Sequence, residues 1–171
     1  METAQSVDAA HLPSSTHFRT VLGHLPTGVV VVTGAAPRGP VGMVIGSFTS
    51  VSLDPPLVGF LPDRSSTTFP HVHSAGSFCV NILSEHQIDH CRTFSRKGGD
   101  KFEGISWTPA PASGAPILNG VVAWVDCEIV SVQEVGDHFM VVGAVRAMNA
   151  GVAAAPLLFC RGTFGAALDS A

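Results

Sequence analysis

Hydroxyl side chains crowd two short stretches of this sequence. Ser47, Thr49, Ser50 and Ser52 lie in GSFTSVSL (46–53), and Ser65, Ser66, Thr67 and Thr68 follow Asp63-Arg64. Such groups both donate and accept hydrogen bonds, and with backbone N–H groups and a cation they can hold a phosphate. Arg64 with Ser65–Thr68, at the expected start of a short helix, is therefore a candidate phosphate cradle. The same residue types also populate turns and strand faces without any ligand, so composition leaves both readings open. Gly136-Asp137-His138 is equally two-sided. Gly-Asp before a strand is ordinary hairpin chemistry, whereas a histidine there can hydrogen-bond an amide.

Other reactive side chains are scattered. His71-x-His73 and His86-x-x-x-His90-Cys91 have spacings a metal could use, but neither has a second half of matching ligands. They read as exposed helix histidines and turn residues, and no metal site is expected. Cys79, Cys91, Cys127 and Cys160 stand singly, with no Cys-x-x-Cys pair, as buried reduced thiols of a cytoplasmic protein would. A Gly-x-Gly-x-x-Gly loop, a phosphate-binding P-loop and a Gly-x-Ser-x-Gly elbow are all absent from the sequence, which argues against a Rossmann site and the usual serine-hydrolase elbow.

The elements that must position these groups are mostly strands. Residues 1–15 read as a flexible polar arm. Phe18, Val21 and Leu22 share one helical face in 16–23, ended by Gly23. Val29–Thr33 is too short and too β-branched for a helix. One long strand is expected over Val41–Leu53, bent at Gly46. Further strands are expected over Leu57–Leu61, Ser77–Leu83, Val121–Val132, Phe139–Met148 and Leu157–Cys160, and a short helix within 65–73. In Val121–Val132, Asp126 and Glu128 share a side with Trp124. Ser84 and Gln87 form a capping box for a helix that buries Ile88, Cys91 and Phe94 and stops at Gly98-Gly99. Residues 103–120 are loop-rich. Strands that do not alternate with long helices exclude a doubly wound sheet and favour an antiparallel barrel with a few appended helices.

A length of 171 residues suits one domain. Charged residues make up only 13 %, about half the usual quarter, which points to surface hidden in a symmetric dimer. The net charge of −4, without any Lys/Arg cluster, argues against nucleic acid or a membrane surface as partner. The N-terminal segment has neither the basic start nor the apolar stretch of a signal peptide, and no apolar run approaches the roughly 18 residues of a membrane span. A cytoplasmic location is expected.

Several blocks occur together in an order that carries more information than any one of them. They are PTGVVVVT (26–33), GM-x-x-x-SFTSVSLDPPLV (42–58), SFCVNIL (77–83), DKF-x-G (100–104), GDH (136–138) and PLLF-x-RG (156–162). Through these blocks residues 16 to 165 resemble the flavin reductase family with an FMN-binding split barrel, in particular the reductase components of two-component monooxygenases. The resemblance implies a mainly β domain over 16–171, a six-stranded antiparallel split β-barrel with a few short peripheral helices, acting as a homodimer. It implies binding of FMN or FAD, reduction of the flavin by NADH or NADPH, and release of reduced flavin to a flavin-dependent monooxygenase. By position, Val44, Ile45, Gly46, Ser47, Thr49, Ser50, Val51 and Ser52 would line the isoalloxazine ring. Arg64, Ser65, Ser66, Thr67 and Thr68 would meet the ribityl phosphate, Asn81, Lys101 and Phe102 would complete the pocket, and His138 would face the nicotinamide. Many relatives carry Thr-Ala-Asn where this chain has Val44-Ile45-Gly46, so contacts at that point fall to the backbone. An oxidase that keeps its FMN, or a non-catalytic flavin-binding or redox-sensing protein, are the alternatives.

Overall fold

A computed structural model of the chain describes residues 12–166. Of the arm expected over 1–15, residues 1–11 lie outside the described residues. Helix α1 (Ser15–Leu22) opens on Ser14, whose hydroxyl accepts the His17 N–H at 3.2 Å. Its apolar residues Phe18, Val21 and Leu22 are all about half exposed, so α1 leans on the molecule without entering its core.

Strands follow in chain order: β1 (Thr27–Gly28), β2 (Val30–Ala36), β3 (Gly39–Ile45), β4 (Thr49–Leu53) and β5 (Pro56–Phe60). After helix α2 (Phe69–Ala75) come β6 (Ser77–Ile82) and helix α3 (Ile88–Ser95), then β7 (Trp107–Pro109), β8 (Pro116–Leu118), β9 (Ala123–Val135), β10 (His138–Ala150), β11 (Leu157–Cys160) and β12 (Thr163–Ala166). Seven of these form one antiparallel sheet in the order β3-β2-β6-β9-β10-β5-β4. Strands β1, β11 and β12 make a small second sheet, and β7 pairs with β8.

The architecture is mainly β and antiparallel with short peripheral helices, as expected. The expected long strand over 41–53 is instead two strands, because residues 46–48 leave the ladder. The hydroxyl of Ser47 bonds to Leu61 in place of a strand partner. The sheet therefore has seven strands, and β3 and β4, its two edges, are consecutive in the chain. The link from Ile45 to Thr49 reaches at most about 14 Å. A flat seven-stranded sheet would hold its edges about 29 Å apart. The sheet must therefore curl until β3 and β4 approach, although they do not hydrogen-bond to each other. Bulges in β10 at Val142/Gly143 and Val145/Ala147 supply local bends. A Cβ at Gly143 would stand 2.5 Å from the Phe78 ring, so the smallest residue is required where β10 packs against that ring.

Two apolar clusters explain the unbroken valines of 29–32. Val30 and Val32 join Phe60, Phe78, Val80 and Val141 inside the curled sheet, while Val29 and Val31 join Leu83, Phe94, Leu118 and Leu157 outside it. Strand β2 is buried on both faces, so its hydrophobic pattern cannot alternate. Each such side chain contributes about 1.5–3 kcal/mol by leaving water. Gln87 Oε1 accepts the Ser84 N–H at 3.0 Å, the return half of the expected capping box, and a 3-10 turn precedes α3. Cys91 and Phe94 are buried on α3, which ends at Ser95, three residues before Gly98. Asp126, expected on the same side of the strand as Glu128 and Trp124, is fully buried. Its Oδ2 accepts the N–H groups of Ala112 and Ser113 at 2.8 and 3.1 Å and pins the 103–120 loop to the sheet. Glu128 is exposed and pairs with Arg146.

Candidate active site

The end of β3, the 63–68 turn and the start of β10 meet around a cleft of about 1110 Å³, to which α1 and the residues after α3 add further walls. The 63–68 turn is built by its own polar groups. Asp63 Oδ1 accepts the Ser65 N–H at 2.6 Å, and Ser66 Oγ accepts the N–H groups of Thr68 and Phe69 at 3.3 and 3.1 Å. Ser65, through its side chain and then its N–H, holds the Asp63 carboxyl below its ordinary value. Asp63 also bridges to His138 across the strands, with the Phe139 N–H donating to the Pro62 carbonyl at 2.9 Å. This pairing fixes His138 at the cleft rim, where its Nδ1–H donates to Asp137 Oδ1 at 2.7 Å. That hydrogen bond is the leading reason the Asp137 carboxyl lies below its usual range.

Lys101 closes another wall. Its ammonium donates to the carbonyls of Gly42 and Phe94 at 3.2 and 3.0 Å, tying the segment after α3 to β3, and burial lowers its pKa. Gly42 permits this approach, because a Cβ there would stand 2.6 Å from the Phe94 ring. Among the apolar residues lining the cleft are Met43, Val44, Ile45, Leu61 and Phe94. Arg19, Arg96, Lys97 and Lys101 contribute four of the chain's nine Lys and Arg residues, against the carboxylates of Asp63 and Asp137. A chain of net charge −4 thus concentrates cations at one opening. Apolar walls, a row of hydroxyls and a surplus of cations suit a flat ring carrying an anionic tail.

Of the residues singled out from sequence, Val44, Ile45, Gly46, Ser47, Ser65, Ser66, Thr67, Thr68, Lys101 and His138 come together in this cleft. The others stand elsewhere. Thr49, Ser50, Val51 and Ser52 belong to edge strand β4 and do not line the cleft. Arg64 turns away toward the Gly136 carbonyl at 3.3 Å and Glu134 at 3.5 Å, because its neighbour Asp63 takes the inward position. Asn81 is fully buried between sheet and loop. Its Nδ2 lies 3.1 to 3.2 Å from Val31 O, Thr33 Oγ1 and Pro116 O, and its Oδ1 accepts the Leu118 N–H at 2.7 Å. Phe102 is buried against Phe94 and lines a smaller adjoining cavity.

Sequence reasoning passed over Arg96 and Lys97, although a basic pair ahead of Gly98-Gly99 was a usable signal. Ser15, Phe18 and Arg19 carried none, since only the docking of α1 brings them to the cleft. Among the described residues no group of three or more His, Cys, Asp or Glu could hold a metal ion. His73 stacks on Phe69, with ring centroids 5.8 Å apart. The thiol of Cys127 is pushed up to about 12 by burial and then by Asp126, and burial raises Cys91 as well, so neither suits nucleophilic work.

Residues 22–167 match the family model described as the flavin reductase like domain. The chain belongs to the flavin reductase-like family. It is 53 % identical over 149 residues to a flavin reductase of Pseudomonas putida, covering 86 % of this chain and 87 % of that one. It is 44 % identical over 149 residues to the reductase subunit HsaB of a flavin-dependent monooxygenase of Mycobacterium tuberculosis, with 86 % and 79 % covered. The NADH:FAD oxidoreductase SgcE6 of Streptomyces globisporus superposes with a TM-score of 0.87 at 34 % identity, over 99 % of this chain and 100 % of that one.

Proposed function

We propose that the chain is an NAD(P)H:flavin oxidoreductase that reduces FMN or FAD and passes the reduced flavin to a partner monooxygenase. One observation carries this reading: the cleft gathers the end of β3, the hydroxyls of 65–68, four cations and His138 around a space large enough for two stacked ring systems. The names and near full-length coverage of the relatives support it.

A bound flavin would supply the hydride acceptor, and NADH or NADPH the hydride. The protein's part is to bind and orient. Met43, Val44, Ile45 and Phe94 would give the ring an apolar, water-poor surface. With Gly46 in place of a side-chain donor, the ring edge would meet backbone at that point. Ser65, Ser66, Thr67 and Thr68 would hold the phosphate end together with Lys101, Lys97 and Arg96. His138, anchored by Asp137, would orient the nicotinamide amide without moving a proton.

The finer architecture we infer is a split barrel of six strands, β2, β3, β5, β6, β9 and β10, with β4 as an added edge, in one domain over 16–171. A homodimer accords with the low charge and with exposed Val51 and Leu53 on β4, Val130 on β9 and Met140 on β10, and a cytoplasmic location accords with the free cysteines. The deciding experiment supplies purified protein with NADH or NADPH and either flavin, and follows loss of the nicotinamide absorbance. Flavin-dependent oxidation is expected. A protein that retains flavin tightly without turnover would instead be a binder, and the proposal would fail.

A further inference from the structure

Beyond the main cleft lies a second cavity of about 460 Å³, continuous with it at Thr67, Thr68 and Lys101. Its remaining walls include Arg38, from the turn between β2 and β3, His71 on α2, and Gly98-Gly99. The order of groups along the chain fixes the direction of the path. Asp63 bridges His138 at one end of the 63–68 turn, while Thr67 and Thr68 at its other end belong to both spaces. A ligand with its ring near His138 and its phosphate at the hydroxyls would therefore have its tail pointed into the second cavity.

Charge follows the same path. Arg64, Arg92 and Arg146 are spent in ion pairs with Glu134, Asp89 and Glu128. Arg38 and the four cations of the main cleft have no carboxylate partner among the described residues. Asp100 also borders the second cavity, but its Oδ1 already accepts the Phe102 N–H at 2.8 Å. Gly98 and Gly99 have φ of 73° and 75° with nothing within 4 Å of a notional Cβ, so the backbone there leaves open space rather than a wall of side chains.

We propose that this second cavity takes the adenosine monophosphate end of FAD, so that cleft and cavity together hold FAD in preference to FMN. Arg38 meets the second phosphate, and the His71 imidazole meets the adenine. The proposal rests on the flavin-binding reading above. NADH carries the same chemical group, and NADPH its 2′-phosphorylated form, but the path from His138 through the hydroxyls assigns the cavity to the flavin tail.

The test measures dissociation constants of FMN, FAD and NADH separately, by fluorescence quenching or equilibrium dialysis, for the full chain and for Arg38→Ala and His71→Ala. Both substituted side chains are exposed, so folding should be preserved. FAD should bind about tenfold tighter than FMN, and each variant should erase much of that advantage while leaving FMN within about twofold. Competition by AMP against FAD, but not against FMN, would add support. Equal affinity for the two flavins with no effect of either substitution overturns the proposal. So does a loss confined to NADH, which would give the cavity to the pyridine nucleotide. Failure of both flavins to bind would bring down the functional reading itself, a result distinct from either.

Discussion

Oγ of Ser47 accepts the Leu61 N–H at 2.9 Å and donates to the Leu61 carbonyl at 3.2 Å. One hydroxyl thus serves both backbone groups of a residue fourteen positions away, at the point where β3 gives way to β4. Both residues line the cleft, so the same contact shapes the sheet and the site. Ser47→Ala should cost about 1–2 kcal/mol in chemical denaturation, because it strands two half-buried backbone groups. Flavin affinity should fall with it. A variant of unchanged stability and affinity would show that the hydroxyl is dispensable.

His138 is held by Asp137 and by the cross-strand pairing with Asp63, and it stands at the rim of the cleft. Replacing it by Ala should raise the KM for NADH or NADPH about tenfold and leave the KM for flavin within about twofold. Asp137→Asn should give a smaller change in the same direction. Equal effects on both substrates would remove His138 from the nicotinamide side.

Burial lowers the pKa of Lys101 from its ordinary value of 10.5. As pH rises through that lowered value, the ammonium and its attraction for a phosphate are lost. The unfolded chain holds the proton up to higher pH, so over the same window this residue's contribution to stability increases as pH rises. Flavin affinity should therefore weaken in the alkaline range while the fold does not. In Lys101→Gln the alkaline limb should flatten, at an affinity reduced about tenfold. A limb of the same shape in the variant would assign it to another group.

Asn81 joins β6 to β2, to Pro116 and to Leu118 through buried hydrogen bonds. Asn81→Ala should therefore cost about 3 kcal/mol of stability, since it leaves several buried partners unpaired. At temperatures where the variant is folded, its flavin affinity should stay near that of the parent chain. Loss of flavin binding at unchanged stability would return Asn81 to the site.

Much of the strand inventory was legible because burial imposes pattern. The valines of 29–32, the aromatic and β-branched run of 77–82 and the hairpin around Gly136 each announce themselves locally. The fate of 41–53 was not legible. Its residues favour extended backbone throughout, and nothing local says that three of them leave the ladder to carry the chain from one edge of the sheet to the other. The row of hydroxyls was half legible for a related reason. Ser47 and Ser65–Thr68 reach the cleft, whereas Thr49–Ser52, of the same composition, run along an outer strand.

By itself the sequence determined the chemistry on offer: β-rich segments, a hydroxyl-rich turn, a histidine beside a hairpin, a few cations and few other charges. Those are properties of residue types and short spacings, which neighbours along the chain enforce. Tertiary structure decided which of them face the same space. It turned Arg64 outward and Asn81 into the core, and it brought Arg19 from α1 and Arg96-Lys97 from beyond α3 to one cleft. The physical reason is that a strand presents alternate residues to opposite sides, while the curl of the sheet sets which side is water, core or cleft. That choice depends on contacts far apart in sequence.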